Sequence, residues 1–505
     1  MIAERRGKDI LIIVSLFSVA FLIRAVGVSN VVLDWDEPAY WFYAVKILAH
    51  NWAPTAEVFD TPSPFLSYIG AVVLLLFEGD LNVLRMISVV FGSLTVPLFY
   101  FFGKEMYDRK TGVLAALFLC FSAYHCIYSR TFKLEAFTLF FVTAFLYFFW
   151  LSQRSDHEQK NTTYAIIAGA MMGLAIAAKY LPFFLVPAVL LYTFWTRRFS
   201  FKALMDKRII LTLLFAFLFF SPMLICWFIT GVNPVHTYVI KIPERSQSLL
   251  GIVRGWQTPP SELFIKGLEK ITEILAWGAE ILIPFWRDLF LLSTVLLFLI
   301  TFFSYLPNFI KKESRDSFLM ISILILYIFI LGVMTGKYYL IYSFPFYFVM
   351  LSHLTVKSFE RMRKENSYKN ILRIFIILLT AIMLFSYFIC GATSPYWDEG
   401  EHTWSRRVVE YIKSDAIKSG YEGEILIGEA VPREVLDYSI YYNSLNASVV
   451  SILKPLKYGE IKKIEVDFEK INRLKPNYLI VSEVLFDILF ETNDKKEILK
   501  DYRIL

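Results

Sequence analysis

The chain has 505 residues, of which 57% are hydrophobic and 19% charged, against about 45–50% and about 25% in soluble globular domains. Together with a mean hydropathy of +0.53 and a 17% aromatic fraction, this excludes a water-soluble globule for most of the chain. It also argues against a barrel, whose alternating strands would dilute the hydropathy. The net charge of +6 takes its meaning from where the basic residues sit.

In chain order, about eleven transmembrane helices are expected, at 10–28, 86–102, 112–128, 134–151, 164–178, 182–195, 209–230, 289–306, 318–335, 338–356 and 371–390. The apolar run 64–77 is too short to be a confident span, and positive-inside counting decides it. If it stays on one side, every basic cluster falls on the same face: Arg5, Arg6 and Lys8; Lys104, Arg109 and Lys110; Arg154 and Lys160; Arg197 to Arg208; Lys311 to Arg315; Lys357 to Lys364. If it crosses, the first cluster opposes all the others. The run is therefore expected to be a juxtamembrane helix in a long outer loop, 29–85, with the N-terminus cytoplasmic.

A second outer segment, 231–286, carries Pro, Gly and Trp punctuation and is too long for a simple connection. Beyond Cys390 the composition turns polar. Short apolar runs at 424–428 and 477–482 read as strands, and 404–418 and 460–473 as helices. The expected organisation is a transmembrane domain, 1–390, followed by a small extracytoplasmic α/β domain, 391–505. The whole is an integral, multi-pass protein of the plasma or cell membrane. The four cysteines, Cys120, Cys126, Cys226 and Cys390, lack metal-ligand spacing.

Near the outer face, several residues break the apolar pattern. The first loop opens with Asp34, Asp36 and Glu37 directly after a span. If a helix starts near Pro38, its positive pole stabilises these carboxylates, and in isolation the segment reads as a helix cap. The turn 129–135 carries Arg130, Lys133 and Glu135; Lys179 ends the fifth span; Lys337, Tyr338 and Tyr339 join the ninth and tenth. Singly, Lys179 and Lys337 read as snorkelling anchors. Jointly, outer cations run against the positive-inside bias and suit a cavity that neutralises a phosphate. Acids opposite cations suit attack of a hydroxyl or amine on a sugar whose leaving group is a phosphate.

These residues resemble the GT-C superfamily of membrane glycosyltransferases, in the branch of protein O-mannosyltransferases and lipid A aminoarabinose transferases. The resemblance runs over roughly residues 10–350. It rests on Asp36, Glu37 and Tyr40, on the turn 60–64, on Ser129, Arg130, Lys133 and Glu135, on Gly173 to Ala175 with Lys179, and on Lys337, Tyr338, Tyr339 and Pro345. It departs at Thr61, where the family carries a Lys, and at Glu135, where Asp is common.

The resemblance implies inverting transfer of a hexosyl, mannosyl or pentosyl unit from a polyprenyl (dolichyl) phosphate donor, such as dolichyl-phosphate mannose. The acceptor would be an extracytoplasmic protein, glycan or lipid. Asp36 would be the base beside Glu37. Tyr40, Arg130, Lys133, Glu135, Lys179, Lys337, Tyr338 and Tyr339 would line the donor-phosphate side. A divalent cation, Mg or Mn, could bind at Asp34 and Asp36 through oxygen. Two alternatives stay open: an oligosaccharyltransferase-like enzyme, and a non-enzymatic transporter or flippase of polyprenyl-linked sugars. Nucleic acid is not needed to explain the positive charge.

Overall fold

The computed structural model describes residues 2–28, 31, 36–59, 63–77, 81–154, 158–232, 284–312, 314–332, 341–362, 369–393, 414, 425–429, 447–451, 478–480 and 503–504. Among these, the α-helices are α1 (Ile2–Ala25), α2 (Asp36–Ala49), α3 (Ala56–Phe59), α4 (Phe65–Phe77), α5 (Leu81–Met106), α6 (Arg109–Phe121), α7 (Ala123–Tyr128), α8 (Leu134–Arg154), α9 (Glu158–Ala178), α10 (Leu185–Thr196), α11 (Lys207–Thr230), α12 (Pro284–Ile310), α13 (Ser314–Gly332), α14 (Phe344–Met362) and α15 (Lys369–Thr393). Two compact units emerge: Met1–Val31 with Lys46–Pro395, and Val32–Val45 with Tyr396–Leu505. The division runs through α2.

Over its described residues each expected span falls mainly on helix, residues 333–340 lying outside the described residues, and the element ends carry corrections. The run expected as one helix at 112–128 is two. Ser122 leaves helical geometry at φ −56°, ψ 116°, and its Oγ caps the amide of His125 to start α7. The expected span at 182–195 begins as a 3-10 turn, Leu181–Phe184, set by Pro182. Elsewhere caps agree with local chemistry. Asp108 accepts from the amide of Thr111 at 2.9 Å to open α6. Asp206 opens α11, which closes on Gly231 at φ 69°. Among the described residues, four helices are by length and composition apolar and long enough to cross a bilayer: α5, α8, α9 and α11. The protein is an integral membrane protein.

The 13-residue α4 rises only about 20 Å, against about 30 Å of hydrocarbon. It buries Leu66, Ser67, Gly70 and Ala71 and exposes Val72, Leu75, Leu76 and Phe77, as a helix lying against the bundle does.

At the centre of the larger unit stands α8, packed between α5 and α9, with Phe137, Phe145 and Phe149 fully buried. On its other side α9 packs on α11 through Gly169 and Gly173, four residues apart. A Cβ at either glycine would fall 2.4 Å from the carbonyl oxygen of Thr212 or Ala216, so small residues are required for the close approach. Outward, α11 exposes Phe217, Leu218, Ile225 and Phe228, a surface suited to lipid.

In the second unit, β1 (Ile425–Glu429), β2 (Ala447–Ser451), β3 (Tyr478–Ile480) and β4 (Arg503–Ile504) form a parallel sheet in the order β2-β1-β3-β4. Ile427 stands opposite Val449 on one side and Tyr478 on the other. Parallel neighbours need connections of a dozen or more residues, and every interval between consecutive strands is longer than that. β1 and β3 fall on the two expected strands. The expected helices 404–418, except for Ser414, and 460–473, and the loop expected at 231–286 except for Gly231, Val232 and the start of α12, lie outside the described residues.

Candidate active site

Helix direction gathers the relevant groups. The C-terminal ends of α1, α6 and α9 and the N-terminal end of α8 meet at one end of the bundle, with α7 between α6 and α8. The turn 129–133 reaches α1 there, where Arg130 donates to the carbonyl of Ile23. Arg130, Lys133, Glu135 and Lys179 are all buried. Charges withdrawn from water in this way survive only with partners.

The central contact is an ion pair 44 residues apart in sequence. Lys179, directly after α9, places Nζ 2.5 Å from Oε1 of Glu135 in the first turn of α8. The second oxygen of Glu135, Oε2, is shielded from solvent and has no hydrogen-bond partner among the described residues. Two residues before Lys179, the carbonyl of Ala177 accepts from Ser63 Oγ at 2.5 Å, and that Oγ accepts from the amide of Phe65 to open α4. The end of the Pro-rich turn and the end of α9 are thereby tied together. Lys133 lies over the Tyr128 ring, 5.7 Å from its centroid. Burial pulls the Arg130 guanidinium below its usual pKa, and the nearby Arg24 charge acts in the same direction.

Arg24 and His125, neither foreseen as site residues, form the floor of this end. The fully buried Arg24 donates from Nη1 to the carbonyls of Ala20 (3.0 Å) and Cys120 (3.3 Å). From Nη2 it donates to the carbonyl of Leu119 (3.2 Å) and to Nδ1 of His125 (2.7 Å). Accepting at Nδ1 leaves the ring proton on Nε2. That atom, like Nε of Arg24, is buried with no partner among the described residues. The available signal was a lone Arg near the C-terminal end of an apolar run, where an ionisable residue is functional by default. Gly92 of α5 makes room, since a Cβ there would fall 2.2 Å from Ser129 Oγ.

Asp36 and Glu37 occupy the first turn of α2, where the helix dipole favours carboxylates. Asp36 is exposed, while Glu37 and Tyr40 are buried. These three belong to the second compact unit. Asp34, Asp60, Thr61, Lys337, Tyr338 and Tyr339 lie outside the described residues. The structure thus brings together the 129–135 turn, Lys179 and Ser63. Pro345 sits in the first turn of α14. Among the described residues no cluster of three or more His, Cys, Asp or Glu side chains could hold a metal ion, and the Asp34–Asp36 pair is incomplete there.

Comparison with known proteins fits this geometry. Residues 60–227 match the family model described as dolichyl-phosphate-mannose-protein mannosyltransferase. A curated relative, dolichyl-phosphooligosaccharide-protein glycotransferase 3 of Archaeoglobus fulgidus, is 22% identical over 223 residues, 37% of this chain and 25% of that protein. The chain thus spans about a quarter of the length of the curated relative it matches. Among solved structures, ArnT from Cupriavidus metallidurans in the apo state superposes with a TM-score of 0.61 at 12% identity, covering 93% of this chain and 91% of that one. The oligosaccharyltransferase of Archaeoglobus fulgidus tethered with an acceptor peptide superposes with a TM-score of 0.56 at 15% identity, covering 85% and 63%. The resemblance read from the ordered motifs stands: this chain has the fold of the GT-C membrane glycosyltransferases.

Proposed function

We propose that the protein is an inverting glycosyltransferase that moves a single sugar from a polyprenyl-phosphate donor to an extracytoplasmic acceptor. Eleven spans, a cytoplasmic N-terminus and an outer α/β domain are part of this reading. The observation that carries it is the buried cationic end of the bundle, Arg130, Lys133 and the Lys179–Glu135 pair, in a chain with the GT-C fold. A solved ArnT is bound to undecaprenyl phosphate, and a dolichol-phosphate accompanies an inhibitory peptide in an archaeal oligosaccharyltransferase structure. Both are chemically the leaving group that such an end would receive.

In the proposed reaction the acceptor's hydroxyl or amine attacks the anomeric carbon, Asp36 takes its proton, and the bond from that carbon to the phosphate oxygen breaks. The electron pair leaves with polyprenyl phosphate, whose growing negative charge is met by the cations. Glu37 supports Asp36. Tyr40, Lys337, Tyr338 and Tyr339 contribute to the donor side. Because the cations are already desolvated and held by carbonyls and by Glu135, little reorganisation is needed as charge develops. A divalent cation at Asp34 and Asp36 would add positive charge near the first loop.

The test uses purified full-length protein with a synthetic polyprenyl-phosphate mannose or aminoarabinose and mass spectrometry of candidate acceptors. Transfer should occur and should fall by about 10²- to 10⁴-fold in Asp36→Asn, with donor binding retained. Full transfer by Asp36→Asn refutes the mechanism. A flippase would translocate donor without forming product.

A second reading, transfer of a preassembled lipid-linked oligosaccharide, is favoured by the similarity to the Archaeoglobus fulgidus glycotransferase. A donor comparison separates the two, because an oligosaccharyltransferase takes the oligosaccharide and ignores the single-sugar monophosphate. Chelator titration of whichever activity appears decides the metal requirement.

A further inference from the structure

The basic residues that the sequence assigns only to topology do not all stand alone in the fold. At the end of the bundle opposite Lys179, a cavity of about 620 Å³ opens among the ends of α5, α8, α12, α13 and α14. Its distance from the candidate active site follows from α8. Glu135 is in the first turn of that helix and Arg154 is its last residue, a rise of about 28 Å at 1.5 Å per residue.

Three cations, Arg154, Arg315 and Lys357, line this cavity against one carboxylate, Asp316. Asp316 is buried and already engaged. It accepts from Tyr107 Oη at 2.5 Å and from Asn308 Nδ2 at 2.6 Å. Burial raises the Tyr107 phenol well above its ordinary pKa, helped by the neighbouring Tyr305 and Asp316, so it remains a donor. Arg154 is held by Glu105, through the carbonyl at 2.5 Å and Oε2 at 3.3 Å. Arg315 and Lys357 are exposed at the cavity and have no ion pair among the described residues. Deeper, the His353 ring stacks on Tyr107 at 3.8 Å and 11°, and its Nδ1 is shielded from solvent without a hydrogen-bond partner among the described residues.

This is a cavity of ligand size, within about 300–1,000 Å³. It has surplus positive charge at the mouth, an unmet polar atom within, and its one acid occupied by internal donors. A simple structural polar cluster would pair its cations with its carboxylate, whereas here the carboxylate is turned to Tyr107 and Asn308. We propose that this cavity is a second binding site, for a phosphate group carried on a small organic moiety, with Arg315 and Lys357 as its phosphate contacts. Two sources share that chemistry: the headgroup of an anionic lipid in the adjoining leaflet, and a soluble phosphate monoester. Basic pockets between membrane helices serve lipid headgroups elsewhere. The site is independent of the proposed transfer reaction.

The test is native mass spectrometry of the full-length protein in detergent, titrated with dioleoyl-phosphatidic acid or dioleoyl-phosphatidylcholine, alongside thermal protection by glycerol 3-phosphate. The expected result is tighter binding of phosphatidic acid than of phosphatidylcholine by about tenfold or more, lost in Arg315→Gln/Lys357→Gln. The melting temperature of that variant without added lipid should be unchanged, because both side chains are exposed. Lys133→Gln, at the other end, should keep the preference. Binding of phosphatidic acid alone identifies a lipid headgroup as the source, whereas protection by glycerol 3-phosphate that is also lost in the double variant identifies a soluble ester. The proposal is overturned if the preference survives Arg315→Gln/Lys357→Gln, if Lys133→Gln removes it, or if neither probe binds.

Discussion

At the end of the bundle where α1 begins, Asp9 accepts from Tyr100, Arg109 and, at 2.7 Å, Lys104, so one carboxylate ties α1, α5 and α6 together. At the end where α8 begins, Glu135 has a single cation on one oxygen and no described partner on the other, and His125 and Arg24 each keep an unmet ring or guanidinium nitrogen. Leaving such groups unsatisfied costs about 1–3 kcal/mol each. Asp9 is saturated by donors and serves cohesion, whereas Glu135 keeps an oxygen to spare and can serve something besides cohesion. The difference also gives a working rule for charged residues at helix ends in membranes. A carboxylate surrounded by several donors is structural, and a buried pair with spare capacity is a candidate site.

The contrast can be broken by substitution. The largest expected effect is at the buried pair. Lys179→Met strands Glu135 without its cation and should destabilise by about 3–5 kcal/mol, read as a fall in melting temperature. Lys179→Met/Glu135→Leu should recover most of that stability while transfer stays lost. If transfer returned with stability, the pair would be cohesion only.

Next, Lys133→Met should lower kcat/KM by about 10²- to 10³-fold. Gly173→Val forces a side chain against the Ala216 carbonyl of α11, where even a Cβ would sit at 2.4 Å. It should cost about 1–3 kcal/mol, more than Gly173→Ala.

The smallest effect is at Asp9. Burial raises the pKa of its carboxyl, but the hydrogen bonds from Lys104, Tyr100 and Arg109 outweigh that and hold it at about 2, below the ordinary 3.8. A group depressed on folding contributes stability that is fully present above its unfolded value and lost as pH falls from about 3.8 towards 2. Asp9→Asn should therefore flatten the acid limb of a melting-temperature profile and leave transfer unchanged. A loss of transfer there matching that of Lys133→Met would erase the distinction between the ends.

Much of the helical plan was legible because it is a sum over local windows. The run 64–77 is a case in point: its separate, short helix α4 follows from an apolar stretch bounded by Pro64 and by the polar residues after Phe77. The break at Ser122 was not legible, because a serine inside an apolar run is compatible with a continuous helix. Only the capping of His125 by its Oγ selects the break. Glu135 and Lys179 were picked out as charged residues at the ends of apolar runs, yet their direct contact was not, and Arg24 was passed over as the tail of a span. Its four hydrogen bonds reach residues up to 101 positions away. No window of the chain contains both partners.

The sequence by itself determined that the chain lives in a bilayer and where most of its described helices run, because hydropathy is a property of contiguous residues. Only the tertiary structure decided which of its charges meet. That depends on the rotation of each helix about its own axis and on how closely neighbours approach, set here by Gly92 against Ser129 and by Gly169 and Gly173 against α11. The same physics separates the basic residues that share the cavity near Asp316 from those that do not.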